Sequence, residues 1–281
     1  MIKSISRLIT MLMVMSSFFV AGQAKVNEAA AWETYADTLA SREDFAGAIK
    51  LYNKIIEKSG LKQDDDYSVL YKRAYAYFGA QDFTNALKDI NQYLQRIPDP
   101  QAKLLRIYIN QGLGDHKAQL ADLDDFLKQS PGNPEIIRFR ASVLMDAGEY
   151  KEAQRDLKSL LAQRADPEIE SFLGLTYYYL GNLDSAMIVF DRVIKQEPSL
   201  LQPYLYAGSL CIEEGAYALA LVYINKGLQV DPTNTTLLFY KGVALTETDK
   251  LEEGCRCLRK AFEAGFDDAA DYLKEYCYGA D

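Results

Sequence analysis

Residues 167–200 read PEIESFLGLTYYYLGNLDSAMIVFDRVIKQEPSL. The segment begins with Pro167, has Gly181 near its middle and reaches Pro198 close to its end. Proline suits a first helical turn or a connection but breaks a helix interior, and glycine readily takes the left-handed conformation that ends a helix. The segment therefore predicts two helices joined by a turn at Gly181.

The same pattern of glycine and proline residues recurs along the chain. Four glycines follow one another at spacings of 34, 33 and 34 residues, namely Gly114, Gly148, Gly181 and Gly215. Prolines keep a similar period at Pro98, Pro131, Pro198 and Pro232. One helix pair cannot bury its apolar face alone, so a repeat of this length predicts a stack of helical hairpins.

These residues resemble the tetratricopeptide repeat, a helix-turn-helix unit of about 34 residues. The segment quoted above matches the family's key positions at Leu173, Gly174, Tyr177, Gly181, Ala186, Phe190 and Pro198. Trp32 stands at the family's tryptophan position in an earlier copy. The resemblance implies an all-α fold, an α-α superhelical solenoid of helix-turn-helix units.

The repeat spacing divides nearly the whole chain into seven predicted units within residues 25–281. The units lie near residues 29–62, 67–100, 100–133, 134–167, 167–200, 201–234 and 235–268, and a capping helix follows at 267–277. The third unit departs most from the family, because Gln119 replaces a small residue and Asn110 an aromatic one.

Residues 1–24 have the composition of a signal peptide. Lys3 and Arg7 are followed by an apolar stretch at 8–20, which is too short to cross about 30 Å of hydrocarbon as a helix. Small residues at Gly22 and Ala24 suit a signal peptidase. We predict cleavage after Ala24 and export of a protein that is not inserted in a membrane, to the periplasm or the extracellular side of the envelope. An uncleaved anchor is the alternative.

Composition argues against several function classes. The chain has 31 Lys and Arg against 40 Asp and Glu, a net charge of −9, and such acidity repels nucleic-acid phosphates. His116 is its one histidine. No phosphate-binding glycine loop, nucleophile elbow or His-Glu-x-x-His helix occurs in the sequence. We therefore predict no catalysis, no cofactor, no metal and no nucleic-acid partner.

A second regularity concerns positions 7 and 23 of the units, counted from the first residue of each unit. Three units have arginine at the first position and aspartate at the second: Arg73/Asp89, Arg106/Asp122 and Arg140/Asp156. Three others have uncharged pairs: Tyr35/Leu51, Leu173/Val189 and Ala207/Tyr223. This covariation predicts a contact between the two helices of a unit, built as an ion pair or as a packed pair. Coincidental surface charges are the alternative.

Four cysteines occur, Cys211, Cys255, Cys257 and Cys277. The segment with the last three resembles the terminal unit of tetratricopeptide proteins exported by Bacteroidota-type bacteria, which often pair a cysteine of the last second helix with one in the closing helix. The resemblance implies a disulfide between Cys255 and Cys277, with Cys257 as the alternative partner. The predicted oxidising compartment permits such a bond.

Aromatic residues recur at positions 2, 5, 6, 9, 12 and 13, on a face that, by the resemblance, lines the concave side of the solenoid. The set comprises Tyr71, Tyr75, Phe78, Tyr108, Phe139, Phe172, Tyr178, Tyr179, Tyr206, Phe239 and Tyr240. Tyrosine and phenylalanine give large contact areas at low entropic cost, as recognition hot spots do. Alternatively, the rings only pack between neighbouring first helices.

These features predict a non-catalytic scaffold or adaptor that binds a peptide or protein segment in an aromatic groove, within envelope or secreted complexes. Some family members clamp a C-terminal carboxylate with lysine, asparagine and arginine on this face, but the first two units lack that basic set. A homo-oligomerising structural solenoid is the alternative. An enzyme that acts on glycans through clustered carboxylates is a third reading.

Overall fold

The structure is a computed structural model that describes residues 28–62 and 64–278. The predicted signal peptide at 1–24 lies outside the described residues. Within those ranges the chain is all-α, and no strand occurs. The described part of the chain divides into two compact units, one that ends at residue 129 and one that begins at residue 130. In the same ranges, none of the helices combines the length and the apolarity that a membrane span requires.

The described part of the first unit contains three helical hairpins. Its helices are α1 (28–41), α2 (Phe45–Ser59), α3 (Asp64–Gly79), α4 (Phe83–Leu94), α5 (Pro100–Leu113) and α6 (His116–Gln129). The hairpins stack, since α2 contacts α3 and α4 contacts α5, while the first helices α3 and α5 also touch.

The second unit has four hairpins and a closing segment in its described part. Its helices are α7 (Pro134–Asp146), α8 (Tyr150–Gln163), α9 (Pro167–Tyr179), α10 (Leu183–Gln196), α11 (Gln202–Glu213), α12 (Tyr217–Val230), α13 (Thr235–Thr246), α14 (Leu251–Glu263) and α15 (Ala269–Tyr272). A π-helical turn, Leu273–Cys277, ends it. The first helices α9, α11 and α13 contact one another in order.

The helix ends follow from capping side chains, prolines and glycines at recurring positions of the sequence. The Asp99, Asn133 and Asp166 side chains cap α5, α7 and α9 by accepting backbone N–H bonds, and each of these helices has proline in its first turn. The four recurring glycines have φ between 69° and 80°, the left-handed conformation that lets the chain turn into the second helix.

One helix begins earlier than the spacing indicates. α3 starts at Asp64, before the predicted unit boundary near Tyr67, and Asp66 lies in its first turn. The Asp66 Oδ2 atom accepts the Lys62 backbone N–H at 2.9 Å. Acidic residues in a first turn interact favourably with the helix dipole, which stabilises the additional residues as helix.

In the hairpin of α9 and α10, a small residue of the first helix faces a large one of the second. Gly174 faces the fully buried ring of Phe190, and a Cβ atom at Gly174 would lie 2.7 Å from Phe190 Cε1. Ala141 stands at the corresponding place in the hairpin that contains the smaller Leu157. The volumes of the two positions therefore compensate, as close packing requires.

Candidate functional site

The three arginine–aspartate pairs have one geometry. Arginine Nε and Nη2 donate to the two oxygens of one aspartate, at 2.6 and 2.8 Å from Arg73 to Asp89, 2.8 and 2.6 Å from Arg106 to Asp122, and 2.8 and 2.7 Å from Arg140 to Asp156. All three aspartates are buried. Bidentate, charge-assisted bonds of this kind fix both side chains and thus tie the two helices of a hairpin together.

In the first unit the same arginines also join successive hairpins. Arg73 Nη1 donates to Asn53 Oδ1 at 2.6 Å, and Arg106 Nη1 donates to Asn91 Oδ1 at 2.8 Å. Each asparagine belongs to the second helix of the preceding hairpin. Sequence reasoning missed this contact, although Asn53 and Asn91 share position 25 of their units.

The second unit makes a comparable link with a tyrosine. The Tyr223 hydroxyl of α12 donates to Asp191 Oδ1 of α10 at 2.9 Å. Asp191 occupies the same repeat position as the two asparagines. Burial and this hydrogen bond to a carboxylate raise the pKa of Tyr223, so the hydroxyl stays a donor at neutral pH.

On the first unit, the predicted aromatic residues differ in how accessible they are. Tyr75 and Tyr108 are 52% and 41% exposed. Tyr71 and Phe78 are half-buried and pack against the core of their hairpin stack. Tyr71 also lines a shallow cavity of about 390 Å³ beside Lys72.

Lys72 in this cavity already has acidic partners. Its Nζ atom lies 2.7 Å from Glu33 Oε1 and 2.7 Å from Asp37 Oδ2. The Tyr52 hydroxyl donates to the other oxygen of Asp37 at 2.7 Å. The floor of the cavity is therefore an internally satisfied polar network, and the exposed ring of Tyr75 lies beside it.

On the second unit, one ring stands at position 6 of four successive first helices. We call Phe139, Phe172, Tyr206 and Tyr240 the ring row; they follow one another at 33, 34 and 34 residues. The Phe172 and Tyr206 ring centroids lie 6.1 Å apart across α9 and α11. All four side chains are half-buried, and Tyr206 and Tyr240 rest on the hydrophobic core.

Two tyrosines at the end of α9 extend this surface. Tyr178 donates its hydroxyl to Glu213 Oε2 at 2.9 Å and Glu214 Oε1 at 3.1 Å, on α11 and its C-terminal cap. Tyr179 is 47% exposed and stacks on Tyr150, with ring centroids 4.6 Å apart and planes 11° apart. Burial and then the Glu213 carboxylate raise the pKa of both α9 tyrosines.

Phe239 is the most deeply buried of the predicted binding residues. Phe239 is only 8% exposed, because the closing segment covers it: its ring stacks on Phe266 at 4.8 Å and meets the edge of Tyr272 at 5.2 Å. Phe239 therefore belongs to the core beneath α15 and offers no surface to a partner. The burial of Phe239 could have been expected from its position in the last predicted unit. There the closing helix packs where a following hairpin packs in the other units.

Two of the four cysteines form a disulfide bond. Cys255 of α14 and Cys277 of the π-helical turn are bonded, with Cα atoms 5.7 Å apart, while Cys211 and Cys257 are free thiols. Burial and then Asp191 raise the pKa of Cys211 to about 11. Within the described ranges, no group of three His, Cys, Asp or Glu residues could hold a metal ion. Oxidation of Cys255 and Cys277 in the exported protein stays a prediction.

Comparisons with known proteins agree with this geometry. The sequence model of the tetratricopeptide repeat matches residues 71–134 and 140–200. A tetratricopeptide repeat protein from Parabacteroides merdae superposes with a TM-score of 0.68 at 17% identity, over 88% of this chain and 97% of the other. The C-terminal part of a TPR repeat-containing protein from Cytophaga hutchinsonii gives 0.56 at 18% identity, over 86% and 99%. At these identities the likeness shows a common fold.

A sequence relative supports the same assignment. A TPR repeat-containing protein from Methanocaldococcus jannaschii is 24% identical over 234 residues, which are 75% of this chain and 40% of that protein. The chain therefore spans less than half the length of this curated relative. What the longer protein does as a whole is not carried by the matched region alone.

Proposed function

Because the chain is a tetratricopeptide repeat protein, we propose that it is a non-catalytic scaffold or adaptor that binds a peptide or protein segment on its aromatic face. The aromatic face of the first unit comprises Tyr71, Tyr75, Phe78 and Tyr108, and that of the second unit comprises Phe139, Phe172, Tyr178, Tyr179, Tyr206 and Tyr240. Tetratricopeptide repeats generally serve as protein–protein interaction scaffolds.

One observation supports this role above all. The exposed Tyr179 lies beside Tyr178 at a ring distance of 5.5 Å, and the ring row continues over the adjacent first helices. Side chains of this type, held on a rigid scaffold, lose little entropy on binding and bury large areas. The hydrogen bond from Tyr178 to Glu213 contributes to this rigidity, because it ties the neighbouring first helices α9 and α11 together.

A non-catalytic role agrees with the surroundings of the single histidine. His116 Nδ1 lies 3.2 Å from Gln119 Oε1 in the turn of the third hairpin. Gln119 in turn donates to the Ile107 backbone oxygen at 3.2 Å. These contacts hold the His116 side chain at the start of α6, against a glutamine that is itself tied to the backbone of α5.

We also propose where the protein works. The composition of residues 1–24 supports export, and a bond between Cys255 and Cys277 would suit an oxidising compartment. The proposed setting is therefore the periplasm or the cell surface, where an acidic scaffold could bring envelope or secreted proteins together.

Affinity capture from an envelope extract tests the proposed binding. The natural chain is expected to retain a defined protein partner, and the double variant Tyr178→Ala/Tyr179→Ala is expected to retain at least about tenfold less. Loss of two central rings removes contact area from the aromatic face; it also removes the Tyr178–Glu213 hydrogen bond and the packing of Tyr178 on the core, so urea denaturation of the variant accompanies the capture. Quantitative mass spectrometry of the eluates measures the difference.

A matched control separates binding from folding. Tyr35→Ala/Tyr278→Ala also removes two tyrosines, which are 59% and 63% exposed and lie outside the aromatic face. This control should capture the partner as well as the natural chain does, and all three proteins should have the same helical circular dichroism. Equal capture by the α9 double variant would refute the proposed site.

A further inference from the structure

A row of acidic residues accompanies the ring row on the second unit. Seven residues after the rings of α7, α11 and α13 come Asp146, Glu213 and Glu247, and seven after the ring of α9 comes Tyr179. Seven residues are nearly two helical turns, so these side chains share the face of the rings. The face therefore presents aromatic rings next to carboxylates along the stack.

Glu213 is the acid in closest association with the rings. It accepts the Tyr178 hydroxyl at 2.9 Å, and its charge acts on two further rings, Tyr179 of α9 and Tyr240 of α13. Rings of the two first helices that contact α11, Tyr179 of α9 and Tyr240 of α13, thus lie near a carboxylate of α11. One accepted hydrogen bond leaves most of the acceptor capacity of that carboxylate for another donor.

The two arginines of these first helices have acidic partners other than Glu213 and Glu214. Arg138 Nη2 lies 2.8 Å from Asp166 Oδ2, and Arg140 Nη2 lies 2.7 Å from Asp156 Oδ1. Over the described part of the second unit, neither Glu213 nor Glu214 has a lysine or arginine within salt-bridge distance, and both are exposed. Their charge is compensated by no cation of the unit.

Rings and an uncompensated carboxylate together are complementary to one kind of side chain. A guanidinium or ammonium group gains from the negative face of an aromatic ring and forms charge-assisted bonds to a carboxylate. An acidic segment would be repelled by the same groups, and a purely apolar one would leave the carboxylates without new partners. The net charge of −9 also favours encounter with a basic partner.

We propose that the segment bound on the second unit is basic, with arginine or lysine among apolar residues. The cationic group binds between Glu213 and the rings of Tyr179 and Tyr240, while apolar neighbours lie along the ring row. This inference rests on the proposed binding function and adds the charge of the ligand to it.

Synthetic peptides test the charge preference directly. The probe is a fluorescein-labelled peptide of about twelve residues with arginine spaced among leucine and alanine. Its matched control has citrulline for arginine, which keeps the planar shape and three of the five N–H donors, replaces the remaining NH2 group by a carbonyl oxygen and removes the charge. In fluorescence anisotropy, the arginine peptide is expected to bind at least about tenfold more tightly, with a preference that shrinks as salt rises.

Two glutamine variants locate the effect. Glu213→Gln/Glu214→Gln keeps acceptors for the Tyr178 hydroxyl and should weaken binding of the arginine peptide about tenfold. Glu252→Gln/Glu253→Gln removes the same charge from the exposed start of α14 and should leave binding unchanged.

Three results would overturn the charge preference: equal affinity for the citrulline peptide, equal weakening by both glutamine variants, or no binding of the arginine peptide. If both peptides bind equally and Tyr178→Ala/Tyr179→Ala weakens both, the aromatic binding site stands and only the basic ligand is refuted. If partner capture also survives the α9 tyrosine changes, the proposed function itself fails.

Discussion

Phe190→Ala is expected to lower the free energy of unfolding by about 4 kcal/mol, as for other large cavities in packed cores. The Phe190 side chain is fully buried, and its ring lies 6.0 Å from that of Tyr206. Truncation removes the support of the ring row as well as core contacts. Urea denaturation followed by circular dichroism measures the loss, and hydrogen exchange should place it in α9–α12.

The glycine opposite Phe190 provides a control for the packing explanation. Gly174→Ala alone should destabilise by about 2 kcal/mol, because the new methyl group meets the phenylalanine ring. In a Phe190→Leu background the same change should cost little, since alanine faces leucine in the hairpin of Ala141 and Leu157. Strict additivity of the two changes would contradict volume compensation between these positions.

Arg73→Leu is expected to destabilise by about 3 kcal/mol, because it leaves a buried carboxylate without its donors. Asp89 is 2% exposed and receives two hydrogen bonds from Arg73. The variant also loses the bond to Asn53, but that side chain is half-buried and can turn to water. The same urea denaturation measures this loss.

Another hairpin of this chain has an apolar pair at the two positions of this ion pair. Leu173 and Val189 occupy the same two repeat positions in another hairpin and are buried together there. Arg73→Leu/Asp89→Val should therefore recover most of the stability that Arg73→Leu loses, since no charge remains buried. A double variant as unstable as the single one would show that the two positions are not interchangeable between an ion pair and an apolar pair.

The fold follows closely from local signals. Each proline and glycine acts on its own helix end, so their spacing predicts the hairpins, and the all-α tetratricopeptide fold is confirmed. The arginine–aspartate contacts, such as that between Arg73 and Asp89, join positions 16 residues apart within one repeat. Because arginine and aspartate occur together at these two positions in three units, the sequence predicts the contact. The structure brings the two residues of each pair together.

Contacts between hairpins were less accessible to sequence reasoning. The Arg73–Asn53 bond and the Tyr178–Glu213 bond depend on how one hairpin is rotated against the next. The burial of Phe239 depends on how the closing segment folds back over α13. The repeat spacing identifies the residues that occupy equivalent positions. Which of them are in contact depends on the packing angle between successive hairpins.

Site-specific photo-cross-linking tests the central claim, that the aromatic face binds another protein. A photoreactive benzoylphenylalanine replaces Tyr179 in one variant and, as a control, Leu219 in another; Leu219 is 45% exposed on the second helix α12. Irradiation in an envelope extract should give an adduct with a different protein from position 179 only, attached at a segment rich in arginine or lysine. No adduct from position 179, an adduct only with a second copy of this chain, or equal adducts from both positions would contradict the account.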